Sequence, residues 1–393
     1  MHKTKTLLRR LSCSQDSTLS ARCVMVRNSR PSASLAGMVI SLLLFLGTNC
    51  RQTSEPPVNK DKDPRTYTWQ RDTLGDGTYQ TSMSGIWGSS ANDVYVVGSA
   101  GLLYTGKIWH YDGSRWTDLT TKYVEAFPAQ QIFPWACVGV FGFSSTDVWI
   151  VGYCDTTRPP TPFKKGFVMH YNGVSWQGTV IPQARALFSV WGKSSSDLWV
   201  GGEEGLFFHS NGSTWQQHNI ADTIMVQRIV GSDGSNTYAG GFTHNNTSGI
   251  DYHSLLEWDG SGWKVVEIVN ESSGNLDFTF FLSLDNGTLY SCPYTAVKKR
   301  IAPGSWQTLF SNSAVYLVDL TVKSATNIFA VGRSSGETIY HYNGKDWYRF
   351  PLFVDSNIYC PRVWSDGSAT FVVEEELRPQ ATALPRTFVL HGK

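Results

Sequence analysis

Apolar side chains in this chain come in short runs, each closed off within a few residues by Gly, Ser, Asn or Asp. Val94-Tyr95-Val96-Val97, Ile108-Trp109-His110-Tyr111, Val148-Trp149-Ile150-Val151 and Leu198-Trp199-Val200 are examples. Such runs predict β-strands, and no segment carries a helical period. The runs also repeat. Ile86-Trp87-Gly88-Ser89-Ser90-Ala91-Asn92-Asp93-Val94-Tyr95-Val96-Val97-Gly98 and the later Trp116 return as Ser189-Val190-Trp191-Gly192, Asp197-Leu198-Trp199-Val200-Gly201 and Trp215. Trp69, Trp116, Trp176, Trp215, Trp263, Trp306 and Trp347 hold one place in the pattern, after a Gly/Ser-rich turn or, for Trp69, at the start of the repeat region. A period of about 40 residues with four strands per unit predicts propeller blades, because one small sheet cannot bury both faces until neighbours stack on it.

The last copy, from Arg362 to Lys393, has three strands and no Trp strand. Tyr67-Thr68-Trp69-Gln70-Arg71 would supply the fourth and satisfy backbone groups otherwise left on an open edge. The expectation is therefore an all-β, seven-bladed propeller of four-stranded antiparallel blades, closed by residues 66–73 completing the C-terminal blade and forming one domain over 66–393. Aromatics at 13% and charged residues at 17% suit sheets packed face to face. A formal net charge of +1 disfavours nucleic acid as a partner, since the whole molecule offers it no field.

Leu35–Leu46 is an uncharged apolar run behind Arg27 and Arg30, too short for a membrane span of roughly 20 residues and suited to a secretory signal. Residues 1–49 are read as that signal, with Met25 as a better-proportioned start. Gly47-Thr48-Asn49-Cys50 resembles the lipobox of bacterial lipoproteins, which implies a lipid on Cys50 and a place in the cell envelope, with simple secretion as the alternative. Residues 50–65 are polar and Pro-bearing and read as a tether. Cys137 and Cys154 flank a hairpin whose simplest register opposes them; they are either a disulfide or two small buried hydrophobes.

Turns between first and second strands are short, as are those between third and fourth. Antiparallel order gathers them on one rim and leaves the connections of varying length, longest at 118–136, 153–166, 241–253, 270–276 and 374–386, on the other. The variable rim is the expected binding face. Its candidate residues are Trp135, Tyr153, Arg158, His244, Tyr252, His253, Tyr294, Glu374, Glu375, Glu376 and Arg378. Repeated Asp93, Asp147 and Asp197 read as turn-fixing residues. His110, His170, His209, His341 and His391 occupy equivalent places in separate blades, so they cannot surround one ion; no metal and no cofactor are expected.

Ser283–Thr288 and Ser365–Phe371 loosely resemble the Asp-box of sialidase-type propellers, a structural hairpin that implies no active site. The repeats at 87–116, 141–176, 191–215 and 324–347 resemble bacterial exported proteins with tandem Trp-Gly-Ser-Ser-x-x-Asp-Val-Trp-x-Val-Gly units, which implies a β-propeller of the envelope or the medium. The expected function is non-catalytic binding of a protein or glycan on the variable rim. The alternative is a carbohydrate-active enzyme, hydrolase or lyase, using Glu374 to Glu376 with aromatic platforms at Trp135, Tyr252 and Tyr294.

Overall fold

The computed structural model describes residues 62–74, 81–100, 105–128, 133–155, 164–220, 223–232, 236–273, 276–334, 337–352, 357–377 and 386–393. These belong to one compact unit, Val58–Lys393. The expected signal at 1–49, Cys50 and most of the expected tether at 50–65 lie outside the described residues. By Lys62 and Arg65 the chain already touches the folded unit: Lys62 Nζ donates to the Lys393 carbonyl at 2.9 Å, and Arg65 pairs with Asp346 at 2.6 Å.

Seven four-stranded antiparallel sheets make a seven-bladed β-propeller. Six blades are continuous in sequence, at 81–118, 133–181, 187–219, 225–270, 282–311 and 316–349. Blade seven combines Ile358–Ser365, Thr370–Glu376 and Thr387–Gly392 with the N-terminal strand Trp69–Leu74. That strand pairs antiparallel from Trp69 opposite Gly392 to Leu74 opposite Thr387, and Thr68 and Lys393 exchange backbone hydrogen bonds at 3.1 and 3.3 Å. First strands of successive blades touch all the way round, that of blade seven meeting that of blade one.

Among the described residues, buried apolar side chains gather in seven clusters, and each spans one joint between blades. The repeated tryptophans explain this. Each sits in the outermost strand opposite a third-strand residue, as Trp116 does opposite Tyr111 and Trp176 opposite Tyr171, and turns into the cluster shared with the preceding blade. The Trp116 and Trp306 indoles also donate to Asp72 and Glu267 of the preceding blade, at 3.2 and 2.8 Å. Nearer the centre a second tryptophan set works against glycine. A Cβ on Gly142 would lie 2.5 Å from the Trp87 ring of blade one, so the Trp-Gly pair is a knob on one blade and a hole in the next.

Repeated Asp and His residues prove to be one unit. His110, His170 and His209 Nε2 lie 2.7, 2.9 and 2.8 Å from the turn carboxylates of Asp93, Asp147 and Asp197. Each imidazole also stacks on the second-strand aromatic of its own blade, Trp149 and His170 at 3.8 Å. The turn is thereby tied to the third strand as well as to its own backbone.

The opposition of Cys137 and Cys154 is corrected. Three register shifts interrupt the first two strands of blade two, so Cys137 lies across from Gly152 and Cys154 across from Pro134. A β-bulge adds a residue to one strand only, and every pairing beyond it slips. Both cysteines are fully buried and no disulfide joins them; the Cys137 sulfur is 2.8 Å from the Tyr123 hydroxyl.

Trp69 packs against the cluster between blades six and seven, 5.2 Å from the Phe350 ring. Trp69→Ala is expected to cost about 3 kcal/mol, read as a lower urea midpoint at an unchanged denaturant slope.

Candidate functional site

In every blade the second strand ends and the third begins, and the first strand begins and the outermost ends, on one and the same side of the wheel. On that side blades four to six build an aromatic shelf. Tyr294, between Thr288–Ser291 and Ala296–Ala302 of blade five, has φ 51, a left-handed backbone that a tyrosine adopts only when its surroundings impose it. Its carbonyl accepts the Leu317 N–H at 2.5 Å, and its ring stacks on Tyr316 with centroids 4.6 Å apart and planes 10° apart. The Tyr294 hydroxyl is 3.4 Å from His253 Nε2, and the Glu271 carboxylate is 3.8 Å from the same nitrogen. Burial depresses the His253 imidazole to about 4, so it is neutral near pH 7, and burial raises both tyrosines above their ordinary range. Tyr316 remains 44% exposed. The shelf is thus aromatic, flanked by the Glu271 carboxylate near Tyr294 and by the exposed Arg333 opposite Tyr316.

The other expected residues disperse. Tyr252 lies beside His253 on blade four, opposite Thr243 and Asn270. His244 is further along the same hairpin, its Nδ1 2.5 Å from Asp251. Tyr153 stands on blade two with Lys164 Nζ 5.0 Å over its ring. Arg158, Arg378 and the side chain of Trp135 lie outside the described residues.

Glu374, Glu375 and Glu376 do not form an acidic cluster facing solvent. Glu374 is fully buried and pairs with Arg71 of the closing strand at 2.7 Å. Glu375 accepts the Met83 N–H of blade one at 2.5 Å. Glu376 takes Arg386 at 2.7 Å. Glu374 ties the closing strand into its blade, Glu375 ties that blade to blade one, and Glu376 ties together the two arms of its own hairpin. Burial lifts Glu375 to about 7, against the pull of the Met83 N–H and Arg362.

The first strands of all seven blades enclose a central channel with a cavity of about 290 Å³. Arg228, Asp319 and Arg362 stand in it at one register layer, opposite Gly240, Val331 and Val373 of their own blades. Sequence reasoning passed over all three. The available signal was a charged residue inside each of the apolar first strands Met225–Val230, Tyr316–Ser324 and Ile358–Ser365. Among the described residues no group of three His, Cys, Asp or Glu is placed to hold a metal ion, and no helix is long and apolar enough to cross a membrane.

No family model matches this sequence, and no curated protein does. Among solved structures the chain is similar to YCF48 bound to D1 peptide, with a TM-score of 0.56 and 12% identity over 84% of this chain and 97% of that one. It is also similar to YCF48 from Cyanidioschyzon merolae, with a TM-score of 0.54 and 15% identity over 82% and 98%. At such identities the likeness is one of fold: a β-propeller in each case.

Two predictions follow from the engaged glutamates. Arg71→Ala leaves the buried Glu374 carboxylate without its ion pair and is expected to cost about 3–5 kcal/mol in urea unfolding. A Glu375 held near 7 instead of 4.5 favours the protonated fold, so its contribution is complete below pH 4.5 and is lost as pH rises through 7. Between pH 4.5 and 8 the wild type should therefore lose up to about 3 kcal/mol more stability than Glu375→Gln; parallel curves for the two proteins would contradict this environment.

Proposed function

We propose that this chain is an exported, lipid-anchored binding protein that catalyses nothing and recognises a partner through the variable rim. The Tyr294–Tyr316 shelf carries this reading: a strained residue holds a half-exposed aromatic face on the variable rim. Strain that persists at a surface is a mark of a working site, and stacked tyrosines offer a large contact area with few rotatable bonds. The carboxylates from which a glycosidase would be built are each engaged by donors of the fold, Glu374 and Glu375 at the ring closure and Glu376 within its own hairpin, which favours binding over hydrolysis. A protein segment is the preferred ligand and a glycan the second choice. The likeness to a propeller described with a bound peptide lends support to the first. The lipobox-like Gly47-Thr48-Asn49-Cys50 behind an apolar signal supports the anchor and the envelope location.

A photo-crosslinking amino acid at Tyr316, in cells producing the full chain, should yield discrete protein adducts. The same residue at Val174, 88% exposed in the short turn after the third strand of blade two, should not. Equal adducts at both positions, or glycan-array hits with no protein adduct, would overturn the preferred ligand. Cys50→Ala should move the protein from the membrane fraction to the soluble one.

A further inference from the structure

The charges in the central channel do not balance. Asp319 is 1% exposed, and both its oxygens are used: Arg228 of blade four donates to Oδ1 across the channel, and the Val363 N–H of blade seven donates to Oδ2 at 3.1 Å. Arg362, on the same layer, gives Nε to the Ser84 carbonyl and one Nη1 donor to the Pro361 carbonyl at 2.6 Å, which leaves its Nη2 donors without a partner among the described residues. Among the described residues no carboxylate makes an ion pair with it. Glu375, a second acid within its electrostatic reach, is directed to the Met83 N–H and is partly protonated at neutral pH. One aspartate thus faces two guanidinium groups inside a cavity of about 290 Å³, and the Arg228 side chain is still 31% exposed to it. An uncompensated charge in such a place is costly unless an anion joins it, and a guanidinium offers paired donors matched to a carboxylate.

We infer that the channel is a carboxylate-binding site, with Arg362 as the principal contact and Arg228 as the second. The cavity has room for a small acid or for the end of a chain, near the lower limit of ordinary ligand pockets of roughly 300 Å³. This goes beyond the rim reading and holds whether or not the tyrosine shelf meets a partner. Two sources share the chemistry, a free small acid and the terminal carboxylate of a polypeptide.

Calorimetric titration of the full chain with succinate, with an acetylated tetra-alanine peptide bearing a free C-terminal carboxylate, and with the amide of that peptide separates them. At least one carboxylate probe should bind. Succinate alone assigns a free acid; the peptide acid without its amide assigns a chain end. Arg362→Gln should weaken binding at least tenfold. Arg362→Lys, which keeps the charge but loses the paired donors, should weaken it several-fold and serves as the test if the glutamine variant does not fold. No heat from either carboxylate probe at millimolar concentration overturns the inference. So does undiminished binding by a folded Arg362 variant, or equal binding of peptide acid and amide with none of succinate.

Discussion

The pairing of Trp69–Leu74 with Thr387–Gly392 is the contact on which the rest of the molecule depends. A ring of sheets has no independent blades, because each apolar cluster is shared by two of them. If one joint opens, two sheet faces meet water and a row of backbone groups loses its partners. The closing strand is fixed by more than its ladder. Arg71 reaches the buried Glu374, Asp72 receives the Trp116 indole of blade one, and Leu74 enters the cluster between blades seven and one. Six residues therefore contact both neighbours of the seam they close.

Joints and centre obey different physics. The joints are apolar and interlocked, with the Trp87 ring filling the space that a side chain on Gly142 would need. The centre is lined by the inner edges of first strands, whose backbone groups have no further strand to pair with. Side chains of the preceding blade meet some of these groups: Ser189 accepts the Ile229 N–H, Ser283 the Val322 N–H and Asp319 the Val363 N–H. Polar residues at the axis are thus part of the architecture, and the arginines beside them are set by a frame that cannot relax without disturbing several blades.

Repeat number, blade boundaries and ring closure were legible in the sequence, because each rests on a local rule applied many times. A tryptophan after a Gly-bearing turn marks an outer strand whether or not its neighbours are known, and the missing copy at the C-terminus points to Trp69. Long-range consequences of local irregularity were not legible. Bulges at Cys137/Gly139 and Gly142/Ser144 move Cys154 away from Cys137, and nothing in the residue types announces them. The turn aspartates and third-strand histidines were read separately, although their fixed offset in each blade brings Asp147 and His170 together. Glu374 to Glu376 read as one acidic patch, but alternation along a strand and three separate partners split them. Arg228, Asp319 and Arg362 lie in three blades, and only the ring makes them neighbours.

The polypeptide begins and finishes the wheel on its plain side. Arg65 reaches Asp346 in a tight turn of blade six, and Lys393 reaches Asn92 in a tight turn of blade one at 3.4 Å. A surface, bead or fusion partner coupled beyond Lys393 would grip the molecule by that side and hold the tyrosine shelf outward, toward whatever is in solution. The same placement lets ligand exchange be followed on an immobilised sample without the support blocking the irregular face.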